Sequence, residues 1–281
     1  MTVETPGDMA ELLAVLAARP DAHLLAGGTD FMVEVTFGRR DPERVVALRR
    51  VDELRGWTAI DDAITLRARL TYTEMQQPEL AGLVPALAQA ARSVGSPQIR
   101  NAGTLGGNLG TASPAGDALP VLAALDATIL LASRAGTRRV PFAEFVRGPR
   151  QTTRRADEII VGAEVRRVRG RQEFVKVGTR NAMVISVASV ALVVDYDARS
   201  VACALGSVGP VVLRTPEAES WIRDRIDWET GRLSESTAAA AFAALVARSA
   251  RPIDDHRSTA AYRRRAIEVC ARRALERACA A

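Results

Sequence analysis

Two glycine-dense segments carry most of the chemistry open to this chain. The first, Ala26-Gly27-Gly28-Thr29-Asp30, follows directly on the apolar stretch His23-Leu24-Leu25. The second, from Gly95 to Asp126, packs Gly95, Gly103, Gly106, Gly107 and Gly110 together with Thr104, Thr111, Ser113, Asn108 and Asp117. Ordered glycine costs conformational entropy, so this density asks for a reason, and close approach of a ligand to the main chain is the usual one. A strand feeding a Gly-Gly turn, then a hydroxyl and a carboxylate, is how consecutive backbone N–H groups are turned toward an anion. A hairpin turn and a turn-rich connection are the plainer alternatives for the two segments, since Gly, Asn and Ser dominate turns of every kind.

A third feature is compositional. Of 38 basic residues all but one are arginine, and the exception is Lys176. Where arginine is so favoured, a lone lysine suggests a position that the bulkier guanidinium cannot fill, although chance would also produce it.

What is missing narrows the chemistry. No glycines fall at GxGxxG spacing and no Gly-Lys pair exists, which argues against a Rossmann fingerprint and a P-loop. Neither HExxH nor a GxSxG nucleophile elbow occurs, and two histidines are too few for most metal or triad chemistry. Cys203, Cys270 and Cys279 are scattered and odd in number, so neither a disulfide framework nor an iron–sulfur or zinc site follows. The residues therefore describe a protein that holds a large phosphorylated ligand against its backbone and leaves the chemistry to that ligand.

Composition bounds the scaffold. The 281 residues suffice for more than one unit with a real core, and 48% hydrophobic with 25% charged residues is a globular composition. A net charge of +5 and a pI near 9.7 invite a nucleic-acid reading. The arginines are spread among nearly as many acids and aromatic residues are few, so no nucleic acid is expected. The apolar run 184–194 is too short to span a bilayer, and the N-terminus is acidic before it is apolar; the expectation is a cytoplasmic chain without export signal or membrane span.

The elements that must position these residues read as alternating helices and strands. Residues 7–19 form an amphipathic helix capped by Asp8. Strands are expected over 44–48 and 63–68, and a helix over 83–93 delivers the chain into the second glycine segment. After Asp117 come a helix, a hairpin over 126–142 and a strand at 159–165. The charged stretch 166–171 reads as a boundary. Beyond it, strands at 173–177, 185–194 and 201–213 make an antiparallel sheet, followed by helices at 216–222, 236–248 and along the arginine-rich tail, where Ile267, Cys270, Ala274 and Ala278 share a stripe.

The motifs AGGTD and TLGGNLGTASPAGD, followed by Lys176 and the closing DDHRSTAAYRRRAIE, resemble the FAD-binding (medium) subunit of the molybdenum hydroxylase family, which includes xanthine and carbon monoxide dehydrogenases. The resemblance spans nearly the whole chain. It implies an α+β fold: a two-lobed FAD-binding domain of the vanillyl-alcohol-oxidase (PCMH) type, with lobes over 1–55 and 56–170, and a C-terminal lobe of three antiparallel strands and helices over 171–281. It places the FAD pyrophosphate between backbone N–H groups of Ala26, Gly27, Gly28, Thr29 and Asp30 on one side and Thr104, Gly106, Gly107 and Asn108 on the other. Asp117 would fix the adenosine end or its loop, Ile160 would pack on the isoalloxazine, and Lys176 would lie beside the ring. There, a cation favours the anionic reduced flavin.

Departures from relatives are also informative. No cysteine-bearing insertion for an extra cluster is present, Val94 stands where some relatives have an aromatic residue, and no histidine sits at the first glycine turn, so FAD is expected to be noncovalent. The implied function is electron transfer in a complex, a dimer of heterotrimers. A large subunit would carry molybdopterin, a small subunit the [2Fe–2S] clusters, and this chain would pass electrons from FAD to NAD+ or another acceptor. The alternative is a stand-alone FAD-dependent oxidase or dehydrogenase.

Overall fold

The computed structural model describes residues 1–279. The chain begins with β1 (Thr2–Glu4), α1 (Met9–Ala18), β2 (His23–Leu25), α2 (Phe31–Thr36) and β3 (Arg44–Ala47). β3 lies between β1 and β2 and pairs with both in parallel, so α1 serves as the crossover that parallel strands require. The Asp8 carboxylate caps α1 by accepting from the Glu11 amide at 2.8 Å, and Leu12 and Leu16 are buried beneath it.

The second sheet is built from β4 (Trp57–Ile60), β5 (Ala63–Arg67), β6 (Thr128–Ser133), β7 (Gly136–Pro141) and, later in the chain, a long strand over Ile159–Arg166 that sits at its centre. Between β5 and β6 run α3 (Pro78–Leu83), α4 (Pro85–Ser93), α5 (Pro97–Ala102), α6 (Leu105–Thr111) and α7 (Ala118–Ala124). The single helix expected over 83–93 is broken at its start, because Pro85 cannot continue α3 and holds Val84 out of helical geometry. After β7 come the short α8 (Phe142–Phe145) and a small ribbon of β8 (Val146–Gly148) and β9 (Gln151–Thr152), before the central strand, β10 (Ile159–Arg166).

The third sheet contains β11 (Gly170–Val177), β12 (Ala188–Asp195) and β13 (Ser200–Gly206), all antiparallel, with a two-residue fourth strand, β14 (Leu213–Arg214). The fourth strand is a small addition to the three expected ones. α9 (Pro216–Arg223), the ribbon of β15 (Ile226–Asp227) and β16 (Arg232–Leu233), α10 (Ala238–Ser249) and α11 (Ala260–Ala278) complete the fold. Residues 280 and 281 of the expected tail helix lie outside the described residues.

Every residue of β12 is buried. Ala188, Val190, Leu192 and Val194 face a core shared with α10 and α11, whereas Ala191 and Val193 face the core that includes α4 and α7. A strand covered on both faces needs no polar alternation, which explains why only Ser189 and the terminal Asp195 interrupt its apolar residues. On α11 the stripe Ile267, Cys270, Ala274 and Ala278 is buried as expected, and so is Arg263, at 2% exposure. Its guanidinium donates to the Val187 and Ser207 carbonyls at 2.8 and 3.0 Å and to Asp255 Oδ1 at 2.6 Å. No helix among the described residues is long and apolar enough to cross a membrane.

Candidate cofactor site

The end of β2 turns directly into the first glycine segment. Gly28 has φ +74°, a conformation that a side chain would strain, and the turn leads into α2. The amides of Gly27, Gly28, Thr29 and Asp30 have no acceptor among the described residues. Four neighbouring donors without partners, on a left-handed turn that lines a cleft, are what a main-chain nest for an anion requires. The turn is fixed from behind: a Cβ on Gly27 would overlap the Ala102 carbonyl, so this glycine serves close packing of two chain segments. The Thr111 hydroxyl donates to Asp30 Oδ2 at 3.2 Å and joins the turn to α6.

The second segment differs from expectation. It forms the helix α6, N-capped by Thr104, whose hydroxyl accepts from the Gly107 amide at 3.1 Å. The Leu105 amide donates to the Leu70 carbonyl at 2.9 Å, Gly106 to Ala68 at 2.7 Å and Asn108 to Thr104 at 3.0 Å. The backbone donors expected of Gly106, Gly107 and Asn108 are therefore already engaged within the protein. Gly106 is needed because a Cβ there would lie 2.7 Å from Ala68 Cβ. Gly107 is different: an added Cβ would meet Thr104 Oγ1 at 3.1 Å and no other neighbour within 4 Å. What α6 offers the cleft is the bare surface of Gly107 and the Asn108 side chain, whose Oδ1 is buried without a hydrogen-bond partner among the described residues.

The two segments face one cleft of about 300 Å³, within the range of small-molecule sites. Ala26, Gly27, Gly28, Thr29, Asp30, Thr104, Gly106, Gly107, Asn108 and Ile160 all line it. Ile160 reaches it at a register shift in β10, with its Cδ1 3.7 Å from where a Cβ on Gly110 would stand. Asp117 and Lys176 do not line it. They form a buried pair at 2.5 Å, 6% and 8% exposed, and Lys176 Nζ also donates to the Ser93 carbonyl at 3.1 Å. A carboxylate and an ammonium that are both removed from water satisfy one another first. The pair remains close to the cleft, because Asp117 follows Gly116, whose added Cβ would lie 2.7 Å from Asn108 Nδ2. Burial holds the Asp117 carboxyl above its ordinary range, with Lys176 and the Ser93 hydroxyl pulling the other way. Its Oδ1 has no partner among the described residues.

Several lining residues were not anticipated from the sequence. Tyr72 lies against Gly103, and burial, reinforced by Asp117 and Asp30, pushes its phenol far above the usual value. Arg40, Arg69, Arg150 and Arg154 also reach the cleft. The abundance of arginine along the chain hides any signal from these four. Arg40 Nη1 donates to His23 Nδ1 at 3.2 Å, and desolvation followed by the Arg40 charge lowers the His23 pKa, against a smaller opposing effect of Asp21.

Residues 1–165 match the family described as the FAD binding domain in molybdopterin dehydrogenase, and residues 173–278 match the CO dehydrogenase flavoprotein C-terminal domain. The chain belongs to this flavoprotein family. It is accordingly an FAD-binding component of an oxidoreductase, and the nest, the bare Gly107 and the unpartnered Asn108 fit such a cofactor. Among curated relatives, the chain is 36% identical over 180 residues to the nicotinate dehydrogenase FAD-subunit of Eubacterium barkeri, a match covering 62% of this chain and 61% of that subunit. It is 28% identical over 270 residues to the glyceraldehyde dehydrogenase medium chain of Sulfolobus acidocaldarius, covering 95% and 94%. The match thus spans about three fifths of the first relative and nearly all of the second. Among solved structures, quinoline 2-oxidoreductase from Pseudomonas putida 86 superposes with a TM-score of 0.90 at 25% identity, over 99% of this flavoprotein and 96% of that chain.

Proposed function

We propose that this chain is the medium subunit of a molybdenum hydroxylase complex, with a large molybdopterin-binding subunit and a small [2Fe–2S] subunit as partners in a dimer of heterotrimers. Electrons arriving from the partner clusters leave through this chain to NAD+ or another acceptor. The observation that carries the reading is the run of unpartnered amides from Gly27 to Asp30 in a cleft that Gly107 and Asn108 of α6 also line. Three lobes, 1–55, 56–170 and 171–281, organise the subunit.

When bound, FAD supplies the two-electron chemistry that none of the lining side chains offers. The amides of Gly27, Gly28, Thr29 and Asp30 donate to the diphosphate, and Gly107 gives it room to approach α6. Ile160 presents an apolar surface to the ring. Asp117 and Lys176, neutralising one another outside the cleft lining, act from behind Asn108 by fixing the segment that follows Gly116 rather than by lending the ring a net charge.

A stand-alone oxidase would need an acid–base group of its own over the ring. The carboxylates and the imidazole that line the cleft are already engaged, Glu34 with Arg40 and Arg150, Asp30 with Thr111, and His23 with Arg40, and burial pushes the Tyr72 phenol far above its usual value. The test is direct. The purified protein should be yellow, release FAD on denaturation, and co-purify with two further chains when expressed with its genomic neighbours. A colourless protein that cannot be loaded with FAD would refute the cofactor assignment, and full turnover by the isolated chain would refute the complex.

A further inference from the structure

Beyond the main-chain nest, the cleft carries a charge arrangement built around Glu34. One helical turn past the nest, its carboxylate is only 13% exposed and binds two guanidinium groups: Arg40 at 2.8 Å through Oε2 and Arg150 through Oε1. Arg40 follows α2, on the side of the first sheet. Arg150 comes from the opposite wall, in the turn between β8 and β9. There it is held at φ +62°, and its amide donates to the Ala112 carbonyl at the end of α6 at 3.0 Å. An arginine kept in a left-handed backbone and reaching across a cleft toward a buried carboxylate is a constrained placement.

The charge balance shows what this placement is suited to. Four arginines line the cleft against two carboxylates, Asp30 and Glu34, an excess of two positive charges. Two of the arginines are committed to the protein's own carbonyls, Arg69 to Val51 at 2.9 Å and Arg154 to Glu158 at 2.7 Å. Arg40 and Arg150 share a single carboxylate, and although Arg40 Nη1 also donates to His23 Nδ1 at 3.2 Å, the two five-donor guanidinium groups keep donors to spare.

We propose that Arg40 and Arg150, oriented by Glu34, are the counter-charge for the ligand's diphosphate, supplementing the main-chain nest and making retention of the ligand depend on its phosphates. This rests on the flavin reading above. Glu34 is a positioning residue here: it fixes the two guanidinium groups and also competes with the diphosphate for them. Because of that competition, neutralising Glu34 and neutralising Arg150 have opposite effects on phosphate binding.

The experiment titrates FAD, ADP and riboflavin into the flavin-free full chain by fluorescence and calorimetry, for the wild type, R150Q and E34Q, at rising ionic strength. The wild type should bind FAD, with ADP competing and with affinity falling as salt rises. R150Q should lose about tenfold or more in FAD affinity, the worth of a charge-assisted contact, with a flatter salt dependence and unchanged riboflavin binding. E34Q should bind FAD more tightly than the wild type at low salt. Equal losses in R150Q and E34Q would show a mere strap between the walls and overturn the proposal, as would R150Q with unaltered FAD affinity. A wild-type chain that binds no FAD under any condition would instead overturn the flavin reading itself, and the thermal melt of each variant separates lost binding from lost folding.

Discussion

The ammonium of Lys176 and the carboxylate of Asp117 lie 2.5 Å apart, 59 residues apart in sequence, and each is less than a tenth exposed. Their dependence on each other sets the first prediction. Burial raises the Asp117 pKa, and Lys176 is the largest influence opposing that rise. In Lys176→Met the carboxyl is therefore raised further. A carboxyl raised in the folded state contributes stability that is present below its unfolded value of about 3.9 and is lost as pH climbs through the folded value. The variant should be least impaired in acid and weaker by about 3–5 kcal/mol near neutrality, where an unpaired buried charge is most costly. Denaturant titrations across this pH range check it. A deficit independent of pH would contradict the pairing, whereas adding Asp117→Asn should restore most of the neutral-pH stability.

Gly27 and Gly107 should respond oppositely to added volume. At Gly107 the neighbouring space is open apart from Thr104 Oγ1, so Gly107→Val is expected to keep most of its stability, give or take about 1 kcal/mol for the helix propensity of α6, and to lose FAD. At Gly27 even a methyl group overlaps the Ala102 carbonyl, so Gly27→Ala should destabilise the fold itself, by about 1–3 kcal/mol, through overpacking. Thermal melts together with flavin content separate the two; retained stoichiometric FAD in Gly107→Val would remove α6 from the site.

Arg263 joins α11 to the carbonyls of Val187 and Ser207 and to Asp255. Removing one partner of a buried pair is expected to cost about 3–5 kcal/mol, so Arg263→Met should lower the unfolding free energy by that order. Flavin content at low temperature should be unaffected. Urea titration measures the loss, and a change below about 1 kcal/mol would show the buried arginine to be dispensable.

The Thr104 cap offers a smaller test. Thr104→Ala removes the acceptor of the Gly107 amide and should cost about 1 kcal/mol in the apo protein. If a diphosphate can use the freed amide, part of that loss should be recovered on adding FAD, seen as a larger FAD-induced rise in Tm than in the wild type. Equal shifts in both proteins would keep that amide out of the site.

Some of this was legible in the chain. Asp8 announces α1 because a short acceptor before an amphipathic run is a cap, and the apolar 185–194 run announces β12, which starts three residues later, at Ala188, because Ile185 is left exposed. The AGGTD turn was legible as a tight glycine turn after a strand, but a hairpin reads the same way, and only the tertiary structure shows that its amides find no acceptor. The TLGGNLG segment was read as a turn and is a helix, since close approach of Ala68 and Ile160 overrides the poor helix propensity of glycine. The pairing of Asp117 with Lys176 is a tertiary fact that no local spacing records. Nor could the arginines of the cleft be singled out when almost every basic residue is arginine. The lone lysine itself now has a physical account: its compact ammonium fits between the Asp117 carboxylate and the Ser93 carbonyl, where a forked guanidinium would need more acceptors and more room.

The two-faced burial of β12 bears on how the chain can be divided. Its side chains alternate between two interiors, so the sheet is a party wall rather than the outer skin of either compartment. A cut near residue 170, where the two family matches part, would strip one compartment of its lining and leave greasy surface bare on both fragments. Expressed separately, the halves should aggregate, and mixed during refolding they should rescue each other.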